Sequence, residues 1–133
     1  MTVHEMLESH PRSITLDRDL LLRCIDECAD CASACTSCAD ADLGEPDVLE
    51  MVRCARLCLD CADTCDSTRR IVIRQTEPDL GVVRAVIEAC AVACRACGDE
   101  CEKHAAHHEH CRLCAEVCRR CEQACRDLAT TIR

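Results

Sequence analysis

Aromatic residues are absent, because the chain of 133 residues contains no Phe, Tyr or Trp. Without aromatic rings it lacks the stacking platform on which many nucleic-acid-binding proteins hold bases. The formal net charge of −9 also argues against a basic surface for phosphate groups. These two features predict that the protein has no nucleic-acid partner.

The sequence also shows no pattern typical of a membrane span or of a signal peptide. No apolar run is long enough for a helix to cross a bilayer. The first residues, MTVHEMLESHPRS, show no basic start followed by an apolar stretch. We therefore expect no membrane partner and a reducing, cytoplasmic location. The length predicts a single domain over residues 1–133.

Cysteine, by contrast, is abundant, with 18 copies. Because an α-helix turns once in about 3.6 residues, alternating steps of four and three place cysteines on one helical face. We call such a face a thiol stripe, and four stripes account for every cysteine. The stripes are Cys24, Cys28, Cys31, Cys35 and Cys38; Cys54, Cys58, Cys61 and Cys65; Cys90, Cys94, Cys97 and Cys101; and Cys111, Cys114, Cys118, Cys121 and Cys125.

Four stripes predict four helices that carry thiols where a bundle helix normally carries Leu or Ile. We expect Pro46 in the first turn of the second helix and Thr76 as the N-cap of the third. Short connections predict antiparallel neighbours, and hence an all-α, up-down-up-down four-helix bundle with a cysteine-lined core. Residues 1–15 form either a short extra helix or an arm. The expected helices are about Leu16–Asp42, Pro46–Gln75, 79–103 and 108–131.

In such a bundle the thiols align in layers about 5 Å apart. The expected layers are Cys38, Cys54, Cys101 and Cys111; Cys35, Cys58, Cys97 and Cys114; Cys31, Cys61, Cys94 and Cys118; Cys28, Cys65, Cys90 and Cys121; and finally Cys24 with Cys125. Beyond Cys24 and Cys125 the stripes continue as aliphatic side chains, which predict an apolar seal. At the opposite end they continue as Asp42, Met51, His104 and His108, which are polar or metal-binding.

Most uses of thiols fit this spacing poorly. Cysteines on one face of a stable helix are badly placed to form disulfides with each other. A packing role as a small hydrophobic residue would suit one or two cysteines, but not 18 that all share the phase of the core. A redox CxxC motif is expected at a helix N-terminus in an α/β fold. The cysteine run of bacterial ferredoxins is also missing. Metal binding is the interpretation that uses all the stripes.

The choice of metal depends on how many ions the thiols can share. Zinc takes four ligands in a closed tetrahedron, which would give about four sites. Thiolates also select Cu(I), and neighbours on one helical face, with Cβ atoms about 5–6 Å apart, can supply it with pairs of ligands. A continuous column of thiols therefore favours storage of many Cu(I) ions. A zinc or other soft-metal protein and a copper sensor or chaperone are the alternatives. No nucleophile–base–acid arrangement stands out, so we do not expect an enzyme.

The repeated C-x3-C-x2-C-x3-C pattern over residues 16–131 resembles the bacterial four-helix-bundle copper storage proteins. Because no signal-peptide pattern is visible, the chain is similar to their cytosolic branch. This resemblance implies multiple Cu(I) ions per chain, all four stripes as ligands, a bundle that forms before metal arrives, and a homo-tetramer. The exported members use a Met-rich entrance, which this chain lacks.

Histidines lie at the end where that entrance would be. His104 follows Cys101 by three residues and His108 precedes Cys111 by three, so both share the phase of the thiols. We predict that they are metal ligands together with the cysteines. We also predict that copper enters and leaves past them at this His-rich end, where nearby acidic residues attract cations.

Overall fold

The computed structural model describes residues 2–133, and every regular element in that range is helical. A short helix, α1 (Thr2–Glu8), precedes four long helices. These are α2 (Arg18–Leu43), α3 (Val52–Ile73), α4 (Leu80–His104) and α5 (Glu109–Ala129), with a 3₁₀ helix at Val48–Met51 before α3. Each long helix carries one thiol stripe on its buried face, as the spacing predicts.

The long helices form a ring in which α2 and α4 each pack against both α3 and α5. Consecutive helices are joined by short connections, so they run in opposite directions. The predicted antiparallel bundle is confirmed. None of the helices in residues 2–133 combines the length and the apolarity that a membrane span needs.

Side-chain caps fix where two of the helices begin. The Asp17 carboxylate accepts a hydrogen bond from the backbone N–H of Leu20 at 3.0 Å, which starts α2. In the same way, Asp79 accepts from the N–H of Val82 at 3.1 Å and starts α4. Each cap satisfies one of the N–H groups that a helix leaves without a partner in its first turn.

Two of the predicted helix starts were wrong. Pro46 does not begin a helix, because the chain after Gly44 crosses the end of the bundle and buries Met51 before α3 starts. Thr76 is not an N-cap either. The turn extends through Glu77, whose φ of 50° is incompatible with a helix, so the cap falls on Asp79.

The two ends of the bundle differ, as the continuation of the stripes predicts. At one end Leu21, Val72, Ile87 and Leu128 have no exposed surface, which confirms the apolar seal. Helix α1 packs near this end. Its Leu7 is buried, and its His4 Nε2 contacts the Asp26 carboxylate of α2 at 2.8 Å. Residues 1–15 therefore include a short helix docked on the bundle, with Met1 outside the described range.

The position of the α4 cap can be tested by substitution. Asp79→Ala should lower the free energy of unfolding of the reduced, metal-free protein by about 1 kcal/mol, because the N–H of Val82 loses its acceptor. Thr76→Ala is the matched control and should cost much less. Urea denaturation followed by circular dichroism measures both values. Equal losses for the two variants would contradict the assignment of Asp79 as the cap.

Candidate metal centre

The core of the bundle is a continuous column of sulfur atoms. All 18 cysteines are buried and none forms a disulfide. The Sγ–Sγ contacts range from 3.5 Å, between Cys58 and Cys97, to 4.0 Å, between Cys28 and Cys125. Such distances allow a metal ion with two or three sulfur ligands to bind after only small rotations of the side chains.

The predicted layers appear as contacts between helices. Each layer contains at least one Sγ–Sγ contact of 3.9 Å or less between its members. From the His-rich end these contacts are Cys54–Cys101, Cys35–Cys114, Cys31–Cys61, Cys28–Cys121 and Cys24–Cys125. Contacts that are just as short, such as Cys58–Cys101 at 3.7 Å and Cys35–Cys118 at 3.6 Å, join neighbouring layers, so the sulfurs interleave along the column and do not form separate layers.

Sulfur contacts also link successive layers. Along single helices, Cys31 lies 3.7 Å from Cys35, and Cys61 lies 3.8 Å from Cys65. As a result the thiols can be grouped in overlapping sets of four whose sulfurs all lie within 4.8 Å of one another. Five such sets are Cys28, Cys90, Cys121 and Cys125; Cys31, Cys65, Cys94 and Cys121; Cys31, Cys35, Cys61 and Cys118; Cys35, Cys97, Cys114 and Cys118; and Cys38, Cys54, Cys58 and Cys101. A thiolate shared between two sets can bridge two ions.

Burial disfavours the charged thiolate and so acts to raise the pKa of every thiol in the column. At Cys111, burial raises the pKa of the thiol, and the neighbouring Cys54 and Asp42 act in the same direction. The sulfur is thus a small, neutral group in the metal-free core. Because metal binding requires the thiolate, each thiol that becomes a ligand must release its proton.

Asp42 and Met51 close the axis of the column at the His-rich end, and neither has any exposed surface. The Cys111 thiol donates to Asp42 Oδ1 at 3.8 Å, while Asp42 Oδ2 has no hydrogen-bond partner. Burial is the main reason that the pKa of Asp42 rises to about 7. A carboxylate oxygen therefore contacts a thiol of the first layer, and the buried Met51 lies three residues before Cys54 of the same layer.

The two histidines predicted as ligands lie at this end, but the structure does not bring their rings to the thiols. His104 Nε2 contacts Glu100 at 2.9 Å. His108 contacts Asp47 at 3.2 Å through Nε2 and Glu45 through Nδ1. Burial lowers the pKa of His108, but these carboxylates raise it by more, so the net shift is upward. A ligand role for His104 and His108 stays a prediction.

His110 is the histidine that reaches the column, and the sequence reasoning missed it. Its Nδ1 lies 3.3 Å from Cys38 Sγ and 3.6 Å from Cys111 Sγ. The spacing predicts that His108 is helical, but α5 begins at Glu109 and His108 has an extended backbone. No spacing signal identifies His110, because it directly precedes Cys111. Its partner Cys38 belongs to a different helix.

Comparisons with known proteins agree with this geometry. Residues 17–130 match the family model described as "Csp: Copper storage protein". A structure of the copper storage protein Ccsp from Streptomyces lividans, loaded with 10 copper equivalents, is 51% identical, with a TM-score of 0.95 and coverage of 97% of this chain and 98% of that chain. The Cu(I)-bound copper storage protein BsCsp3 is 35% identical, with a TM-score of 0.71 and coverage of 80% and 94%.

A protein of Bacillus subtilis (strain 168) is also similar. It is described as the uncharacterized cysteine-rich protein YhjQ and is 36% identical over 106 residues, which cover 80% of this chain and 93% of that protein. The matches to BsCsp3 and to YhjQ each cover 80% of this chain.

The buried carboxyl group of Asp42 predicts a pH dependence of stability. Its pKa is about 7 in the folded protein and about 3.9 in an unfolded chain, so the folded state binds the proton more tightly. The stabilisation from this group is fully present below about pH 4 and is lost as the pH rises through about 7. Asp42→Asn should remove this loss, so the variant should gain stability relative to the unsubstituted protein over that range.

Urea unfolding of the reduced, metal-free proteins at several pH values measures the effect. Asp40→Asn is the matched control, because Asp40 is an exposed carboxyl group on the same helix. If the stability difference between Asp42→Asn and the unsubstituted protein stays constant across this pH range, the carboxyl group does not titrate as its burial requires.

Proposed function

The chain belongs to the copper storage protein family, and on that premise we propose that it stores many Cu(I) ions on the thiolates of its core in the cytosol. The observation that carries this proposal is the unbroken network of sulfur contacts through the bundle. A sensor or a chaperone needs one or two sites that are accessible to a partner. A buried column of shared ligands is suited to binding many ions.

The proposed ligands are all the cysteines of the four stripes. They are Cys24, Cys28, Cys31, Cys35, Cys38, Cys54, Cys58, Cys61, Cys65, Cys90, Cys94, Cys97, Cys101, Cys111, Cys114, Cys118, Cys121 and Cys125. The soft thiolate favours Cu(I) over hard cations. Because the column is already assembled, binding requires loss of protons but no rearrangement of the helices.

Copper exchange is proposed for the His-rich end, since the other end is sealed by aliphatic side chains that offer a cation no ligands. His104 and His108 are proposed ligands there once they leave their carboxylate partners. The carboxylates of Glu45, Asp47 and Glu100 add negative charge around this end. That charge favours the approach of cations and is screened by salt.

The proposal also covers the domain organisation, the oligomeric state and the absence of a catalytic role. Residues 1–133 are proposed to form one domain, which the docking of α1 on α2 through His4 and Asp26 supports. A homo-tetramer is proposed from the family resemblance, and the exposed aliphatic side chains of Leu49 and Val52 are available for a subunit contact. We propose storage, and not catalysis, as the role of the thiols, because the family is one of copper storage.

The number of Cu(I) ions that the protein binds is the direct test of storage. If each Cu(I) takes two thiolates and each sulfur bridges two ions, the protein should bind roughly one ion per cysteine. Titration of the reduced, metal-free protein against a chelator that competes for Cu(I) measures the number of ions bound. A parallel titration with Zn²⁺ is the control and should saturate at about four ions. Saturation with Cu(I) at only four or five ions would favour a sensor or a zinc-type protein.

A further inference from the structure

The column of thiols approaches the protein surface on its side as well as at its end. A groove with a volume of about 180 Å³ lies between α2 and α5. Its walls are Ala34 and Ser37 of α2 and Leu113 and Val117 of α5. Cys38 and Cys114 are its innermost lining, and His110 borders it at the His-rich end. We call this groove the lateral portal.

Exposure of the cysteines distinguishes this place from the rest of the column. Sixteen of the 18 cysteines have no exposed surface, whereas Cys38 and Cys114 are each 1% exposed. Both of these belong to the lateral portal. The small exposed thiol surface of the column therefore lies between α2 and α5, although a second groove, between α4 and α5, also has a cysteine, Cys125, in its lining.

The axial route at the same end is closed by side chains. Asp42 and Met51 have no exposed surface. An ion that moved along the axis would have to displace both of these side chains. The lateral portal requires neither movement, because its innermost residues are themselves cysteines.

We propose that the lateral portal admits a small thiolate that carries Cu(I), and that copper passes there between this carrier and Cys38 or Cys114. The proposal rests on the storage function proposed above and adds the route and the class of carrier. The volume equals that of about six water molecules at ~30 Å³ each, which suits an amino-acid-sized thiol group and excludes a folded domain. The walls contain no charged side chain, so a compact and soft ligand matches the portal better than a hydrated cation.

The transfer step is an exchange of one thiolate for another. A bond forms between copper and Cys38 Sγ while the bond between copper and the carrier's sulfur breaks. The proton of the Cys38 thiol leaves on the carrier's sulfur, and copper stays in the +1 state throughout. From Cys114 the column continues inward, since its Sγ lies 3.7 Å from Cys35 Sγ.

Substitutions that fill the portal test the route. Ser37→Phe combined with Val117→Phe should slow both the uptake of Cu(I) from its glutathione complex and its removal by excess glutathione. We expect about a tenfold effect on each rate, which corresponds to ~1.4 kcal/mol in the barrier. Leu59→Phe combined with Val92→Phe is the matched control, because these exposed side chains enlarge α3 and α4 away from the portal. The control should exchange copper at the rate of the unsubstituted protein.

The axial route is tested by His104→Phe combined with His108→Phe, which should slow exchange less than the filled portal does. Normal rates in the filled variant, or a larger effect of the histidine substitutions, would overturn the proposal. The total number of ions bound is measured in the same experiment. A low capacity in the unsubstituted protein would instead overturn the storage function, so the two failures are distinguishable.

A second measurement needs no substitution. Brief treatment of the reduced, metal-free protein with iodoacetamide, followed by peptide mass analysis, should show Cys38 and Cys114 modified before the other cysteines. If Cys54, Cys101 and Cys111 at the axial end react first, or if all the thiols react at one rate, the portal is not the point of access.

Discussion

Contact between sulfur atoms of different helices is the interaction on which the rest of this structure depends. A Cys side chain is shorter than the Leu or Ile that usually fills a bundle, so the helices must approach closely to bring Sγ atoms within 3.5–4.0 Å. Small neighbours make this approach feasible, and Ala39, Ala62, Ala91 and Ala115 are buried beside the thiols. Alanine also has the highest helix propensity, so the residues that permit close packing favour the helices as well.

Stability and metal binding depend on different parts of the bundle. Burial of a Leu or Ile side chain contributes about 1.5–3 kcal/mol, and a thiol in the same position buries less apolar surface. The aliphatic seal, with Leu21, Ile87 and Leu128 at its centre, therefore compensates for a core made largely of cysteine. The opposite end retains polar groups such as Asp42, whose burial raises its pKa and costs stability near neutral pH. This costly group lies at the His-rich end, away from the aliphatic seal.

The sequence predicted most of the fold because one residue type marks the core. The period of the cysteines identified four helices, their buried faces and the column that the sulfurs form. It did not identify local turns, since the 3₁₀ helix before α3 and the cap at Asp79 depend on how the connections cross the bundle ends. The positions of the histidine rings depend on the same connections. His108 precedes α5 with an extended backbone, which turns it toward Glu45 and Asp47 and leaves His110 beside Cys38.

Storage by this mechanism requires that the thiol column exists before copper arrives. Far-ultraviolet circular dichroism during a Cu(I) titration of the reduced, metal-free protein tests it most directly. Because neutral buried thiols pack as small apolar groups, the spectrum should be that of a helical protein at the start and should change little up to saturation. A random-coil spectrum that becomes helical only as copper is added would contradict the account, since it would mean that the metal folds the chain.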